Sequence, residues 1–261
     1  MTANNGQTQK AGFGFILRAL KHKNYRLFFA GQGVSLIGTW MQMVATSWLV
    51  YRLTGSAFYL GIVSFCDHAP VFLGAPIAGI LADRWPRRHI VMMTQILSML
   101  QAFLLAGLVF FNYANLTLII LLSLFRGLIN TFDIPTRQAF VFEMVDNDED
   151  IPNAIALNSM LFNIARLIGP SIAGFVIAFT GEAACFFING ITFLAVIFAL
   201  CAMKITRPAA AKHSGSILGG IRDGLKYSFG FIPMRSILIY TALMSLLATS
   251  YMVLMPVFAK V

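Results

Sequence analysis

Residues able to bind a polar guest or carry a proton are few in this 261-residue chain, and their spacing is regular. Arg126, Asn130, Asp133 and Arg137 recur at steps of four, three and four, which puts all four on one helix face over about 16 Å. Gln32, Ser35, Thr39, Gln42 and Thr46 repeat the rhythm at steps of three, four, three and four. Asp67 and His68 are neighbours. These are groups for binding and proton carriage, and they do not assemble into a covalent catalyst. No Gly-x-Ser-x-Gly elbow occurs, and an aspartyl centre would have only Asp67 and Asp133 to draw on. Cys66, Cys185 and Cys201 lie far apart in apolar runs without metal-ligand spacing and read as core packing. No enzyme, cofactor or metal is expected.

The elements that must position these residues are membrane-spanning helices. Hydrophobic residues make up 58% of the chain against 11% charged, and the mean hydropathy is +0.78. A soluble domain carries about 25% charge. Apolar runs of about 20 residues or more suit helices crossing a hydrocarbon core, and the short alternating segments of an outer-membrane barrel are absent. Seven spans are predicted, over 27–51, 58–82, 90–111, 116–144, 153–180, 184–203 and 236–258. Residues 1–26 form a polar N-terminal segment without a signal-peptide pattern, so the first run should stay as a span. Residues 204–235 form a longer polar connection. Within it Ile217, Ile221, Leu225 and Phe229 oppose Arg222, Asp223 and Lys226, the pattern of an amphipathic surface helix or else a plain linker.

The net charge of +9 is spread over inter-helix segments, with no aromatic-interleaved basic stripe, so nucleic acid is not an expected partner. With the N-terminus in the cytoplasm, fifteen lysines and arginines fall in inside segments and only Arg52 and Lys260 outside. That asymmetry sets the orientation in an inner membrane.

Depth then constrains the polar stripes. Arg126 lies near mid-span, where exposure to lipid costs about 2.5–3.5 kcal/mol on insertion scales. Its stripe must face the bundle interior or a cavity, either in structural pairs such as Asp133 with Arg137 or as cavity lining. The first-helix stripe is open to two readings as well, interhelical glue or cavity wall. Burial disfavours the charged form of a carboxyl, so Asp67 is a candidate proton carrier or a satisfied acid beside a core histidine. Asn163 and Arg166 share a face of the fifth helix. Gly169, Pro170, Ala173 and Gly174 follow, small residues that permit close helix approach and a proline that bends.

Six cytoplasmic and mid-helix segments carry a resemblance. Gly79-Ile80-Leu81-Ala82-Asp83-Arg84-Trp85-Pro86-Arg87-Arg88 resembles motif A of the major facilitator superfamily, with Pro86 where glycine is usual. Ala165-Arg166-Leu167-Ile168-Gly169-Pro170-Ser171-Ile172-Ala173-Gly174 looks like motif C, the antiporter signature, and Arg126-Gly127 matches the family's fourth-helix arginine. Asn24-Tyr25-Arg26-Leu27-Phe28-Phe29-Ala30-Gly31-Gln32, Asp133-Ile134-Pro135-Thr136-Arg137-Gln138-Ala139-Phe140 and Asn153-Ala154-Ile155-Ala156-Leu157-Asn158-Ser159 are similar to the enterobactin-exporter-like, or transmembrane secretion effector, branch.

The resemblance implies an all-α membrane fold, the N-terminal six-helix bundle of a twelve-helix transporter plus a seventh helix at 236–261. It implies alternating access and proton-coupled export of an amphipathic small molecule such as a siderophore or drug. By the same analogy Gly79, Asp83, Arg84 and Arg87 join a cytoplasmic gating network with Glu143. Gln32, Ser35, Thr39, Gln42, Arg126 and Asn130 would line the substrate cavity, with Asp67 or Asp133 as proton site. Partners are then substrate, protons, the bilayer and a missing C-terminal half, without which the chain is expected to insert but not transport. An importer on the same fold and a seven-helix receptor-like protein are the alternatives. The receptor-like reading sits poorly with a cytoplasmic N-terminus, and a retinal pigment with a lysine, Lys260, beyond the last span.

The orientation predicts that a single cysteine at Asn115, in a cysteine-free background, reacts with an impermeant thiol reagent on intact cells. One at Arg88 should react only after permeabilisation; the reverse pattern would invert the topology.

Overall fold

A computed structural model describes residues 17–82, 85–204, 227, 229–248 and 256–258, all of them helices and short connections. A 3-10 turn, Arg18–Lys21, leads into α1 (Lys23–Thr54), α2 (Ala57–Ala82), α3 (Arg87–Phe110) and α4 (Leu116–Met144). A second 3-10 turn, Asp148–Asp150, leads into α5 (Ile151–Thr180), α6 (Glu182–Ala202) and α7 (Ile232–Ala248). Local chemistry sets the boundaries. Gly55 closes α1 in the left-handed conformation at φ 63°, where glycine has no Cβ penalty. Asn115 caps α4 by accepting from the Leu118 amide at 2.9 Å.

Five described helices, α2 to α6, are long and apolar enough to cross a bilayer. α1 has ample length at 32 residues, but its glutamines, serines and threonines dilute its hydropathy. α7 is described over 17 residues, starting at Ile232 rather than Ser236, and its described side chains are exposed. The helix also starts earlier than expected in α1, at Lys23, and in α3, at Arg87, so the boundary expected at 26 falls inside a helix. Of the surface-helix pattern in the 204–235 connection, Ile217, Ile221, Arg222, Asp223, Leu225 and Lys226 lie outside the described residues.

α1 packs along α6 and α5, α3 along α6 and α4, and α2 along α4. Two apolar clusters result. One surrounds Tyr25, Phe28, Val91, Phe140, Met144 and Leu200, at the end where α1 begins. The other surrounds Met41, Leu49, Leu60, Leu105, Ile119 and Phe186, at the opposite end. Between them lies a polar layer in which Gln32, Ser35, Gln42, Gln95, Gln101, Asp133 and Asn189 are all buried.

Close backbone approach is built on glycine at two contacts. A Cβ on Gly127 would lie 2.5 Å from the Asp67 carbonyl oxygen, so α2 and α4 meet there only because no Cβ exists. A Cβ on Gly169 would meet the Trp40 Cβ at 2.5 Å, which brings α5 onto α1. Gly169 and the buried Ala173 thus do what the small-residue stripe predicts, but Gly174 is exposed with no neighbour within 4 Å of its missing Cβ. Cys185 is buried, as core packing requires, whereas Cys66 is only half-buried and Cys201 is exposed.

Replacing Gly127 with valine should therefore cost most of the folded protein, since backbone on α2 cannot yield as a side chain can. Gly174→Ala should melt within a degree or two of the parent in detergent. Equal melting temperatures for the two variants would contradict the α2–α4 contact.

Candidate functional site

The deepest charges form two ion pairs in and beside the polar layer. Arg126 on α4 grips Asp67 on α2 with both arms of its fork, Nε to Oδ1 at 2.8 Å and Nη2 to Oδ2 at 2.6 Å. Their side chains are 17% and 8% exposed. Arg137 donates from Nε to Asp133 Oδ2 at 3.0 Å, one turn back on its own helix. The other Asp133 oxygen accepts from Thr94 at 2.7 Å and Gln95 at 3.0 Å, both on α3. Two arginines and two aspartates leave this level neutral, which is the condition for burying charge at mid-membrane.

The α1 and α4 stripes meet in one cavity. Gln32, Ser35, Thr39, Gln42, Arg126, Asn130, Asp133 and Arg137 all line it, joined by Gln95, Ser98 and Gln101 from α3 and Asn189 from α6. Its volume is about 70 Å³, room for about two water molecules at ~30 Å³ each. Gln42 is also a tie between helices: it donates to Gln101 at 2.9 Å and accepts from Asn189 at 2.7 Å. Thr39 and Thr46 donate back to the Ser35 and Gln42 carbonyls of their own helix.

A second, smaller cavity of about 50 Å³ holds Asp67, His68, Ser64, Thr46 and Ser47, and Arg126 forms part of its wall too. His68 is not a core histidine. Its side chain is 73% exposed, with Nδ1 2.9 Å from the Ser64 carbonyl and 3.6 Å from Asp67 Oδ2. A third space, about 520 Å³ and mostly apolar, lies between α1 and α5 along Trp40, Met43, Trp48, Pro170, Gly174 and Ile177. That is the size range of drug-like ligands. Arg166 stacks over the Trp40 ring, 5.9 Å from guanidinium carbon to centroid, while Asn163 is exposed on the same helix and donates to the Ser159 carbonyl.

Nearer the end where α1 begins, Arg87 on α3 donates to Glu143 on α4 at 3.1 Å and to the Ala139 carbonyl at 3.4 Å. Gly79 is described and crowds nothing. Asp83 and Arg84 lie outside the described residues.

Sequence reasoning missed a clasp beside this pair. The 3-10 turn before α1 docks on the acidic link between α4 and α5. Lys21 reaches Asp150 Oδ2 at 2.7 Å, Arg18 pairs with the same carboxylate, and the His22 ring lies between Asp150, at 2.8 Å, and Asp146, at 3.0 Å. Ala19 N–H donates to Asn153 at 2.9 Å and Tyr25 O–H to the Ala154 carbonyl at 2.8 Å, while Asn24 bonds both ways with Lys204. The segments around Asn24 and Asn153 that carry the family resemblance are thus the two faces of one joint. The partners of the stripes were also missed, although Thr94, Gln95, Ser98 and Gln101 on α3 carry the same three- and four-residue rhythm.

With this geometry in hand, comparison with known proteins becomes interpretable. A family model described as transmembrane secretion effector matches residues 16–261. The chain belongs to that family. Among curated relatives, the staphyloferrin A transporter of Staphylococcus aureus is 29% identical over 89% of this chain and 58% of that protein. The multidrug efflux pump Tap of Mycolicibacterium fortuitum is 25% identical over 84% of this chain and 53% of its own. Macrolide efflux protein A of Streptococcus pyogenes is 24% identical over 59% of this chain and 38% of its own. The chain spans about half the length of the curated relatives it matches most extensively.

The clasp generates a pH prediction. Hydrogen bonds from Lys21, then from His22, hold the Asp150 carboxyl below its ordinary value of 3.8. A depressed carboxylate stabilises the folded state fully above its unfolded value, and the contribution is lost as pH falls through the lower, folded one. Asp150→Asn should lower the melting temperature in detergent by several degrees at pH 7. The gap from the parent should close as the pH is taken below about 4; a gap that widens in acid would contradict the assignment.

Proposed function

We propose that this chain supplies the first six-helix bundle of an inner-membrane exporter that drives an amphipathic small molecule out of the cell with protons. The N-terminus is cytoplasmic, by the lysine and arginine asymmetry, and a second bundle closes the translocation path. Membership of the secretion effector family and relatives named for siderophore transport, drug efflux and macrolide efflux support the class of substrate.

The observation that carries the reading is the neutral set of two arginines and two aspartates. One proton on Asp67 cancels the charge that Arg126 grips, and the layer then holds a net positive charge. Asp133 lines the polar cavity that Arg126 also borders, and Arg137 already occupies it. An uncompensated buried arginine costs several kcal/mol, about 3–5 when one partner of a buried pair is removed. Opening the layer to water relieves that cost, which ties protonation to the rocking of the bundle. In this mechanism Asp67 is the carrier and Asp133 the fixed counter-acid.

Gln32, Ser35, Thr39, Gln42, Arg126 and Asn130 form the polar wall facing the substrate's polar end. The 70 Å³ cavity widens to admit more than water when the layer opens. The apolar space beside Trp40 and Trp48 takes the hydrophobic part, and Arg166, Gly169, Pro170 and Gly174 shape its α5 side. The Arg87–Glu143 pair, with Gly79, Asp83 and Arg84, latches the cytoplasmic end.

The test uses the transporter with both bundles in liposomes under an imposed proton gradient. Asp67→Asn should transport at a rate independent of pH, and Arg126→Ala should insert normally yet lose about 10²-fold or more in rate. Asp67→Asn with Arg126→Gln should fold as well as the parent, because no charge is left unpaired, and remain uncoupled. A parental pH profile in Asp67→Asn returns that acid to packing.

A further inference from the structure

Asp67 presents a problem of access. Its carboxylate is 8% exposed and both oxygens are occupied by Arg126, whose own side chain is 17% exposed and gives up protons too reluctantly to relay them. A proton bound for Asp67 needs a carrier with one edge in the open and the other at the carboxylate.

His68 has that placement. The ring is 73% exposed on the surface of this bundle, and Nδ1 lies 3.6 Å from Asp67 Oδ2; a shift of about 0.8 Å would make a charge-assisted hydrogen bond of about 2.8 Å. Its present Nδ1 contact is the Ser64 carbonyl one turn back, at 2.9 Å. Among the described residues, the groups around the shared cavity leave no rival. α4 contributes Arg126, α2 contributes Asp67 and His68, and α1 contributes Met43, Thr46, Ser47 and Val50, none of which titrates. Imidazole is also the side chain that both takes up and releases a proton in the neutral range.

We propose that His68 delivers the proton to Asp67. The inference rests on Asp67 being the carrier. In the resting tautomer Nδ1–H donates to the Ser64 carbonyl and Nε2 is left unprotonated. A proton from water binds Nε2 and makes the imidazolium. The ring then swings its Nδ1–H from Ser64 to Asp67 Oδ2, the N–H bond breaks as the O–H bond forms, and the carboxyl becomes neutral. The imidazole is left neutral with its proton on Nε2, and exchange of its protons with water restores the resting tautomer. One proton leaves water and one arrives on Asp67.

The small cavity also shares Met43 and Ser47 with the large apolar space and Arg126 with the polar one. Protonation at His68 is therefore felt on the wall of the space assigned to substrate and on the wall of the polar layer.

The test follows Asp67 itself. The purified chain in lipid nanodiscs, with aspartate isotopically labelled, is given a rapid drop in pH while the infrared band of the protonated carboxyl is recorded. The band is assigned by its loss in Asp67→Asn. His68→Ala and His68→Gln should each slow its appearance by about a hundredfold, and imidazole added to the buffer should restore the rate in His68→Ala. Gln retains a donor for the Ser64 carbonyl, so a purely structural histidine would leave His68→Gln at the parental rate. That result, or a slowed His68→Ala that imidazole does not restore, overturns the delivery role alone. A band that persists in Asp67→Asn overturns the carrier reading and this inference with it.

Discussion

The bundle is organised around one requirement, that charge buried at mid-membrane must sum to zero and be held by hydrogen bonds. Arg126 and Asp67 meet that requirement across two helices, and the two-armed contact tolerates little displacement. Gly127 follows from it: the residue after the arginine has to let the Asp67 backbone come within van der Waals range. So does the pairing of α2 with α4, which has few other polar ties. Asp133, with three donors arranged around it from Thr94, Gln95 and Arg137, is the more enclosed acid of the two. The proposed switch rests on this asymmetry between a gripped acid at a cavity edge and an enclosed one.

The same requirement explains the layered core. Apolar clusters at each end supply close packing, and the middle is cross-tied by amides, with Gln42 linked to both Gln101 and Asn189. Such ties are individually modest, averaging about 0.6 kcal/mol in membrane proteins. A middle held by many weak, exchangeable bonds between two well-packed ends is suited to hydrating and drying without loss of the fold. The clasp of Arg18, Lys21 and His22 on Asp146 and Asp150 adds stiffness at one end, where α1, the α4–α5 link and the end of α6 converge.

Much of this was legible from spacing alone. The α1 and α4 stripes face one cavity because a helix repeats every 3.6 residues and an arginine cannot face lipid cheaply, arguments that need no partner. What spacing does not carry is the partner's identity. Arg126 has Asp67, 59 residues away, where the nearer Asp133 was equally available to reasoning; Asp133 went to Arg137, as local pairing suggested. Depth leaves His68 open to reading as a core residue, yet one residue is a 100° turn on a helix, enough to carry it from the buried face of Asp67 to an exposed one. Gly174 shares the stripe's composition but not its contact, since composition says which residues permit approach and not where a neighbour comes. The clasp was invisible because its charges look like ordinary solvated loop residues until the chain folds them together.

The low hydropathy of α1 has a consequence for how the protein is made. Nearly everything that satisfies this helix is synthesised much later than the helix itself. Gln42 waits for Gln101 and then for Asn189, 59 and 147 residues on, and Ala19 waits for Asn153, 134 residues on. Until α6 arrives, Gln42 sits in or beside lipid without Asn189, and α1 is the one helix of the six that falls short of spanning hydropathy. Biogenesis therefore depends on whatever shelters a half-committed first segment at the translocon, and the earliest helix in the chain is among the last to be secured.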